Sequence, residues 1–191
     1  MLCLPKTASR AIVVCHPHPR YGGTMDNPVV AVVADRCAAA GIATLRFNFR
    51  GVGASEGAYS DSFAETEDAL AAVDFLRGRS DVPRVTCAGY SFGAMVASLV
   101  AARGSGVGAL VAIALPATMF DAGPLESSDK PKLFLHGDCD DYCPEGAIQD
   151  LVARLPGRNE LRILAGADHF LAGYEGEIAD EVAQFLNALE G

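Results

Sequence analysis

Residues 84–102, RVTCAGYSFGAMVASLVAA, contain the pattern that decides the fold. The stretch opens with a short apolar run typical of a buried strand, and it continues after Gly93 with small residues at helical spacing. Between the two, GYSFG (89–93) fits the pattern G-x-S-x-G, in which a serine lies on a tight turn from a strand into a helix. The stretch therefore predicts a nucleophile elbow with Ser91 at its tip.

A second match to this pattern, GASEG at 53–57, lacks the flanking elements. RGVG precedes Ser55 and AYSDS follows it, so that neither a strand nor a helix adjoins the serine. A chance match is not rare in a chain with 20 glycines among 191 residues. We therefore interpret 53–57 as a glycine-rich loop that forms part of the wall of the active-site cleft, and Ser91 as the nucleophile.

Short apolar runs alternate with helical patterns along most of the chain. Because the runs are continuous rather than alternating, they are typical of parallel strands covered on both faces. The sequence predicts a single α/β domain, 1–191, with a mostly parallel sheet and helices on both faces. Strands are predicted at 10–18, 42–49, 84–90, 109–116, 132–137 and 160–166. Helices are predicted to begin at Asn27-Pro28, at a capping box of Ser62 and Glu65, at 92 and at Pro144, and a last helix is predicted at the C-terminus.

Composition and charge exclude several classes of function. The net charge of -9, without a cluster of Lys or Arg, argues against nucleic acid or an anionic membrane as partner. No apolar run approaches the roughly 20 residues of a membrane span, and the opening MLCLPKTASR has too short an apolar stretch for a signal peptide. The six cysteines are then expected to be reduced thiols of a cytoplasmic protein.

A nucleophilic serine needs a histidine base, and the base needs a carboxylate that orients it. In the order Ser, Asp, His along the chain, His169 in GADHF is the histidine that lies far enough beyond Ser91. His136 ends a buried strand, where we expect backbone hydrogen bonds to hold it. The histidines at positions 16 and 18 precede the elbow.

The acid is expected in a loop between Ser91 and His169. HGDCDDYCP (136–144) follows a strand and offers three carboxylates, and Asp121 follows the preceding strand. Spacing alone does not choose among the carboxylates of 136–144, which are Asp138, Asp140 and Asp141. We expect another of the three to cap a turn or the next helix.

Other motifs in the chain fit their usual ligands poorly. Gly51, Gly53 and Gly57 are spaced one residue too widely for a dinucleotide-binding loop and open no helix. Cys139 and Cys143 have irregular spacing for a zinc site, and we expect them to pack beneath the loop. The sequence predicts neither a metal nor a cofactor.

Five motifs, in their order along the chain, resemble those of the α/β-hydrolase superfamily: VCHPHPRYGGTMDN, LRFNFRGVGASEG, GYSFGA, HGDCDDYCP and GADHF. The likeness runs from Ala11 onward and is greatest to the small cap-less bacterial branch, near the dienelactone-hydrolase-like and KANL3/Tex30-like hydrolases. It implies that the acid is Asp140, three residues after Gly137.

The resemblance also implies an oxyanion hole and a substrate. The backbone N–H of Phe92 would be one oxyanion donor, and the second would come from His18, or else from Tyr21 or Gly22; Tyr21 is also a candidate pocket residue. The implied reaction is hydrolysis of small carboxylic esters through an acyl-enzyme. The alternatives are thioester or amide hydrolysis by the same triad, or a non-catalytic binding protein on a hydrolase fold.

Two departures from the superfamily bear on these expectations. In place of the usual opening hairpin the chain has MLCLPKT, which predicts a shortened N-terminal edge of the sheet and a possible homodimer covering it. The connection 118–131, TMFDAGPLESSDKP, is too short to form a cap. We therefore expect an open site that favours short acyl esters over long-chain lipids.

Overall fold

One seven-stranded sheet organises the protein, whose structure is a computed structural model describing residues 1–60 and 63–189. Its order is β1-β3-β2-β4-β5-β6-β7. The edge strand β1 is antiparallel to β3, and the other neighbouring strands are parallel. The strands are β1 Leu2–Cys3, β2 Ala11–Cys15, β3 Ala43–Arg46, β4 Val85–Tyr90, β5 Val107–Ile113, β6 Lys132–Gly137 and β7 Asn159–Leu164.

Helices cover both faces of this sheet, as its buried central strands require. The helices are α1 Pro28–Ala39, α2 Glu65–Arg77, α3 Phe92–Arg103, α4 Gly123–Glu126, α5 Glu145–Arg154 and α6 Glu175–Ala188. α1 and α6 pack together on one face. α2, α3, α4 and α5 contribute to the apolar core on the other face. The predicted mostly parallel sheet with helices on both faces is thereby confirmed.

Four strands end earlier than the sequence predicts: those expected at 109–116 and 160–166 stop at Ile113 and Leu164, and the loops after the other two are joined by His16. The strand expected at 42–49 stops at Arg46, and the strand expected at 10–18 stops at Cys15. The buried imidazole of His16 joins the two loops that follow: the Phe49 N–H donates to its Nε2 at 3.1 Å, and its Nδ1–H donates to the Pro17 carbonyl at 2.7 Å. Burial lowers the pKa of His16, so the ring stays neutral and keeps both roles.

Helix α1 begins as predicted, whereas α2 begins differently. Asn27 accepts the Val29 N–H at 3.1 Å and caps α1. Ser62 of the predicted capping box lies outside the described residues. Glu65 is the first residue of α2, and its carboxylate accepts the Ser60 N–H at 2.9 Å.

The N-terminal edge of the sheet is short, as expected from MLCLPKT. Its strand β1 has two residues, Leu2 and Cys3, which pair with Leu45 and Thr44 of β3. In place of a hairpin, the chain thus adds one brief antiparallel strand to the parallel sheet.

A buried lysine ties β6 to the loops at its N-terminal end. Lys132 has 0% of its surface exposed. Its ammonium group donates to the carbonyls of Ser128 at 2.7 Å, Lys130 at 2.9 Å and Pro156 at 2.9 Å. Burial lowers the pKa of Lys132, but its three donors are all used, which offsets much of the cost of burying the charge.

We expect Lys132→Met to destabilise the fold by about 2–4 kcal/mol, because three buried carbonyls lose their donor. Urea unfolding of the variant against wild type measures the loss. Lys6→Met, at an exposed position, is the matched control and should stay within about 0.5 kcal/mol. Equal stability of the two variants would contradict this role of Lys132.

Candidate active site

Three residues singled out in the sequence meet at the carboxyl end of the sheet. Ser91 directly follows β4, Asp140 lies three residues beyond β6, and His169 lies in the loop between β7 and α6. Parallel strands end at the same edge, and for this reason their loops converge although the residues are far apart in sequence.

Ser91 lies on a strained turn between β4 and α3. Its φ of 53° and ψ of −115° belong to a region that residues with a side chain rarely adopt. A Cβ on Gly89 would collide with the Gly93 carbonyl, and one on Gly93 would collide with the carbonyls of Cys15 and His16. The two glycines of the pattern therefore allow α3 to start directly against the end of β2.

The side chains of Ser91, His169 and Asp140 form one hydrogen-bonded chain. His169 Nδ1 lies 2.7 Å from Asp140 Oδ2, and its Nε2 lies 2.9 Å from Ser91 Oγ. A carboxylate only accepts hydrogen bonds, so the Nδ1 of His169 carries the proton. The unprotonated Nε2 then accepts the Ser91 hydroxyl proton, which is the arrangement a general base needs.

Asp140 is held in its ionised form. Its side chain is fully buried, and burial by itself raises the pKa of a carboxyl group. The hydrogen bond from His169 and two more, from the N–H groups of Tyr142 at 2.8 Å and Cys143 at 3.0 Å, outweigh that effect. The pKa of Asp140 therefore lies below its ordinary value near 3.8.

The other candidate carboxylates have different partners. Asp138 accepts the Gly166 N–H at 2.7 Å and so fixes the loop after β7. Asp121 closes a local turn by accepting the Gly123 N–H at 3.1 Å, and Asp141 is exposed. The structure thus brings Asp140, and none of these three, to the imidazole of His169.

The two cysteines around Asp140 have different surroundings. Cys143 is buried, Cys139 is exposed, and both are free thiols. The position of Cys143 agrees with the expected packing beneath the loop, whereas the exposed Cys139 does not.

The loop of His169 rests on aromatic residues that the sequence analysis did not single out. The Tyr90 hydroxyl donates to the His169 carbonyl at 2.9 Å. Burial, with nearby carboxylates, raises the pKa of Tyr90 to about 12, which keeps this donor protonated. The Tyr142 ring lies 4.6 Å from the imidazole of His169. No sequence signal separates Tyr90 from an ordinary strand residue, because its role depends on a loop 79 positions away.

The loop after β2 lies on the other side of Ser91. His18 Nδ1 accepts the Arg20 N–H at 3.1 Å, so in the neutral ring Nε2 carries the proton and donates to Tyr59 Oη at 3.1 Å. The His18 ring also lies 5.0 Å from that of Phe92. Tyr59, which the sequence analysis did not single out, therefore fixes His18 beside the elbow.

The backbone donors near Ser91 are not equivalent. Phe92 is the first residue of α3, a position at which the N–H has no acceptor inside the helix. The Tyr21 N–H donates to the His18 carbonyl at 3.1 Å, and the Gly22 N–H donates to the Pro19 carbonyl at 3.2 Å. The N–H groups of both alternative donors are thus engaged within their own turn. The side chain of Tyr21, the candidate pocket residue, is 87% exposed.

The loop that contains Ser55 is held by a hydrogen bond within it and by an ion pair to α2. Ser55 Oγ donates to the Asn48 carbonyl at 2.8 Å. Arg50 forms an ion pair with Asp68 of α2 at 2.6 Å. Ser55 therefore supports the turn at 53–57, as the interpretation of GASEG as a loop requires.

Two kinds of feature are absent from the described residues. Within 1–60 and 63–189, no three His, Cys, Asp or Glu side chains are grouped so that they could hold a metal ion. None of the helices in that part of the chain has both the length and the apolar character needed to cross a bilayer.

We expect the stability conferred by Asp140 to depend on pH. Because its pKa is lowered on folding, the ionised carboxylate stabilises the protein above about pH 4, and this contribution is lost as the pH falls through the lowered pKa. The difference in unfolding free energy between wild type and Asp140→Asn should therefore shrink on acidification. Urea titrations from about pH 7 to about pH 3 test this. The exposed Asp141→Asn is the control, and a difference that stays constant over this range would be the contrary result.

Comparisons with known proteins identify the family of this chain. The model of a family described as alpha/beta hydrolase domain matches residues 10–185. An uncharacterised protein of Rickettsia prowazekii is 32% identical over 187 residues, which cover 93% of this chain and 79% of that protein.

Two solved structures show the same likeness. An alpha-beta serine hydrolase homologue from Coxiella burnetii has a TM-score of 0.87 and 32% identity, over 99% of this chain and 90% of that one. A serine hydrolase without lid from Xanthomonas campestris has a TM-score of 0.83 and 30% identity, over 99% and 89%. The short connection between β5 and β6 agrees with that description, and the chain belongs to the α/β-hydrolase family as a cap-less member.

Proposed function

We propose that the protein is a serine hydrolase that cleaves small carboxylic esters through an acyl-enzyme. The observation that carries the proposal is the chain from Ser91 through His169 to the ionised Asp140, with contacts of 2.9 and 2.7 Å. The strained turn at Ser91 exposes its hydroxyl at the open end of the sheet. A protein that only binds its ligand would not need this alignment of base and acid.

In the first step Ser91 attacks the ester carbonyl carbon. His169 Nε2 takes the hydroxyl proton as the bond from Oγ to carbon forms, and Asp140 stabilises the resulting imidazolium. The negative charge moves to the carbonyl oxygen, where the N–H groups of Phe92 and His18 are its proposed donors. When the bond from carbon to the alcohol oxygen breaks, His169 returns the proton to the leaving alcohol.

In the second step a water molecule attacks the acyl-enzyme by the same series of proton transfers. His169 takes a proton from water as the water oxygen bonds to the acyl carbon, and the same donors hold the oxyanion. The bond to Ser91 Oγ then breaks, Oγ recovers its proton from His169, and the carboxylic acid leaves. Atoms and charges balance over the cycle, and no metal or cofactor is needed.

Thioesters and activated amides pass through the same tetrahedral intermediate, so the triad also accommodates them. We take esters as the substrate class because hydrolysis of small carboxylic esters is the reaction that the family resemblance implies. The proposed partner is a small-molecule ester. A homodimer across the short β1 edge stays a proposal that sedimentation or light scattering can test.

A fluorophosphonate probe should label Ser91, as located by mass spectrometry of the modified peptide. We expect Ser91→Ala to abolish labelling and to lower kcat for p-nitrophenyl acetate by about 10³-fold or more, and His169→Ala to lower kcat comparably.

Ser55→Ala is the matched control, since its serine lies in the second G-x-S-x-G and bonds a backbone carbonyl. It should retain labelling. Labelling of folded wild type at Ser55, or none at all, would overturn the assignment of Ser91. Activity of His169→Ala within about tenfold of wild type would overturn the proposed mechanism.

A further inference from the structure

A cavity of about 440 Å³ lies along α3 next to the elbow. This volume falls within the range of small-molecule sites, roughly 300–1,000 Å³. Its apolar walls come from Phe63 before α2, from Met95 and Leu99 on α3, and from Met119 and Phe120 in the connection between β5 and β6. Met119 is 63% exposed.

Two walls of the cavity connect it to the proposed reaction centre. The Met95 N–H donates to the Ser91 carbonyl at 3.2 Å, which places Met95 one helical turn beyond the serine. The Phe63 ring stacks on that of Phe92, the residue after Ser91, at 5.7 Å and 10°. The cavity therefore begins at the elbow.

The opposite wall leads to the base. Thr118, next to Met119, donates through Oγ1 to the Tyr142 carbonyl at 3.2 Å. The Tyr142 ring in turn lies against the imidazole of His169. The connection that carries Met119 and Phe120 therefore adjoins the loop of Tyr142 and His169.

The chemistry indicates which half of an ester faces the cavity. The leaving oxygen must receive its proton from His169 Nε2, so the alcohol part lies on the side of His169 and Tyr142. The carbonyl oxygen is assigned to the N–H groups of Phe92 and His18, so the acyl part takes the third direction from the carbonyl carbon. Phe63 contacts Phe92, Met95 follows Ser91 by one helical turn, and the acyl part is placed in the cavity that these two residues line. An acyl chain directed there would follow α3.

Charged side chains limit how far such a chain can extend. Leu99 lies eight residues beyond Ser91, or about 12 Å along the helix axis. The lining of the cavity also includes Glu67, Arg103 and Asp121, of which Arg103 lies one helical turn beyond Leu99. Methylene groups placed against these side chains would displace their water without replacing its hydrogen bonds, which is unfavourable. The apolar part therefore fits a chain of intermediate length.

We propose that this cavity binds the acyl chain of the substrate and selects medium-length chains, close to octanoyl. The inference rests on the proposed esterase function and names the substrate class for the same site. It departs from the sequence-based expectation of an open site that favours short acyl esters over long-chain lipids, because the absence of a cap does not remove this cavity.

The test compares kcat/KM for the p-nitrophenyl esters of acetate, butyrate, octanoate and dodecanoate, each below its aggregation concentration. Octanoate should exceed butyrate by about tenfold, since each buried methylene adds to binding, and dodecanoate should fall below octanoate. We expect Leu99→Trp, which fills the cavity, to lower the ratio of octanoate to acetate by about tenfold.

Phe75→Trp is the matched control, at a half-exposed position of α2 that faces Arg79 instead of the cavity. It should leave the ratio of octanoate to acetate unchanged. If Leu99→Trp does not fold, Met119→Ala replaces it and should raise KM for octanoate more than for acetate.

Four results would overturn the inference. A preference for butyrate over octanoate would rule out the acyl site. An equal change in the ratio of octanoate to acetate in Leu99→Trp and Phe75→Trp would also rule it out. In both cases Ser91-dependent hydrolysis of acetate would still support the esterase function. Dodecanoate preferred over octanoate would remove the proposed limit on chain length. Absence of any Ser91-dependent hydrolysis, together with no fluorophosphonate labelling, would overturn the proposed function and the acyl site with it.

Discussion

The close approach of α3 to the end of β2 is the constraint on which the site depends. Only glycine fits at positions 89 and 93, where a Cβ would collide with backbone carbonyls. The contact forces Ser91 into a strained conformation and places the Phe92 N–H beside it. Burial of the apolar residues of β4 and α3 offsets this strain, because both elements lie almost wholly inside the core.

The remaining groups of the site are positioned by backbone contacts between loops. The Cys139 N–H donates to the Ala167 carbonyl at 3.0 Å, and a Cβ on Gly137 would collide with that same carbonyl. Asp138 and Tyr90 hold the loop of His169 from two sides. The imidazole is therefore aligned before a substrate arrives, and little reorganisation is required at the moment of reaction.

The protein surfaces on the two sides of Ser91 differ in composition, and this difference favours one orientation of the proposed ester. The side of His169 has an aromatic surface with Tyr142 and Phe170, both largely exposed. The side of Phe92 adjoins the cavity along α3, whose lining combines apolar side chains with charged ones. An open aromatic rim for the alcohol and a bounded cavity for the acyl chain are compatible with a site that has no cap.

The sequence by itself determined the sheet and the elbow, because apolar periodicity and the glycines of GYSFG are local signals. The order Ser, Asp, His along the chain selected His169. The choice of Asp140 among three carboxylates came from the family resemblance, since spacing alone left all three open. The tertiary structure alone decided the roles of Tyr90 and Tyr59, the early ends of β2 and β3 around His16, and the cavity beside Met95. These features join residues distant in the chain, and the contacts that create them exist only after the strands have been brought together.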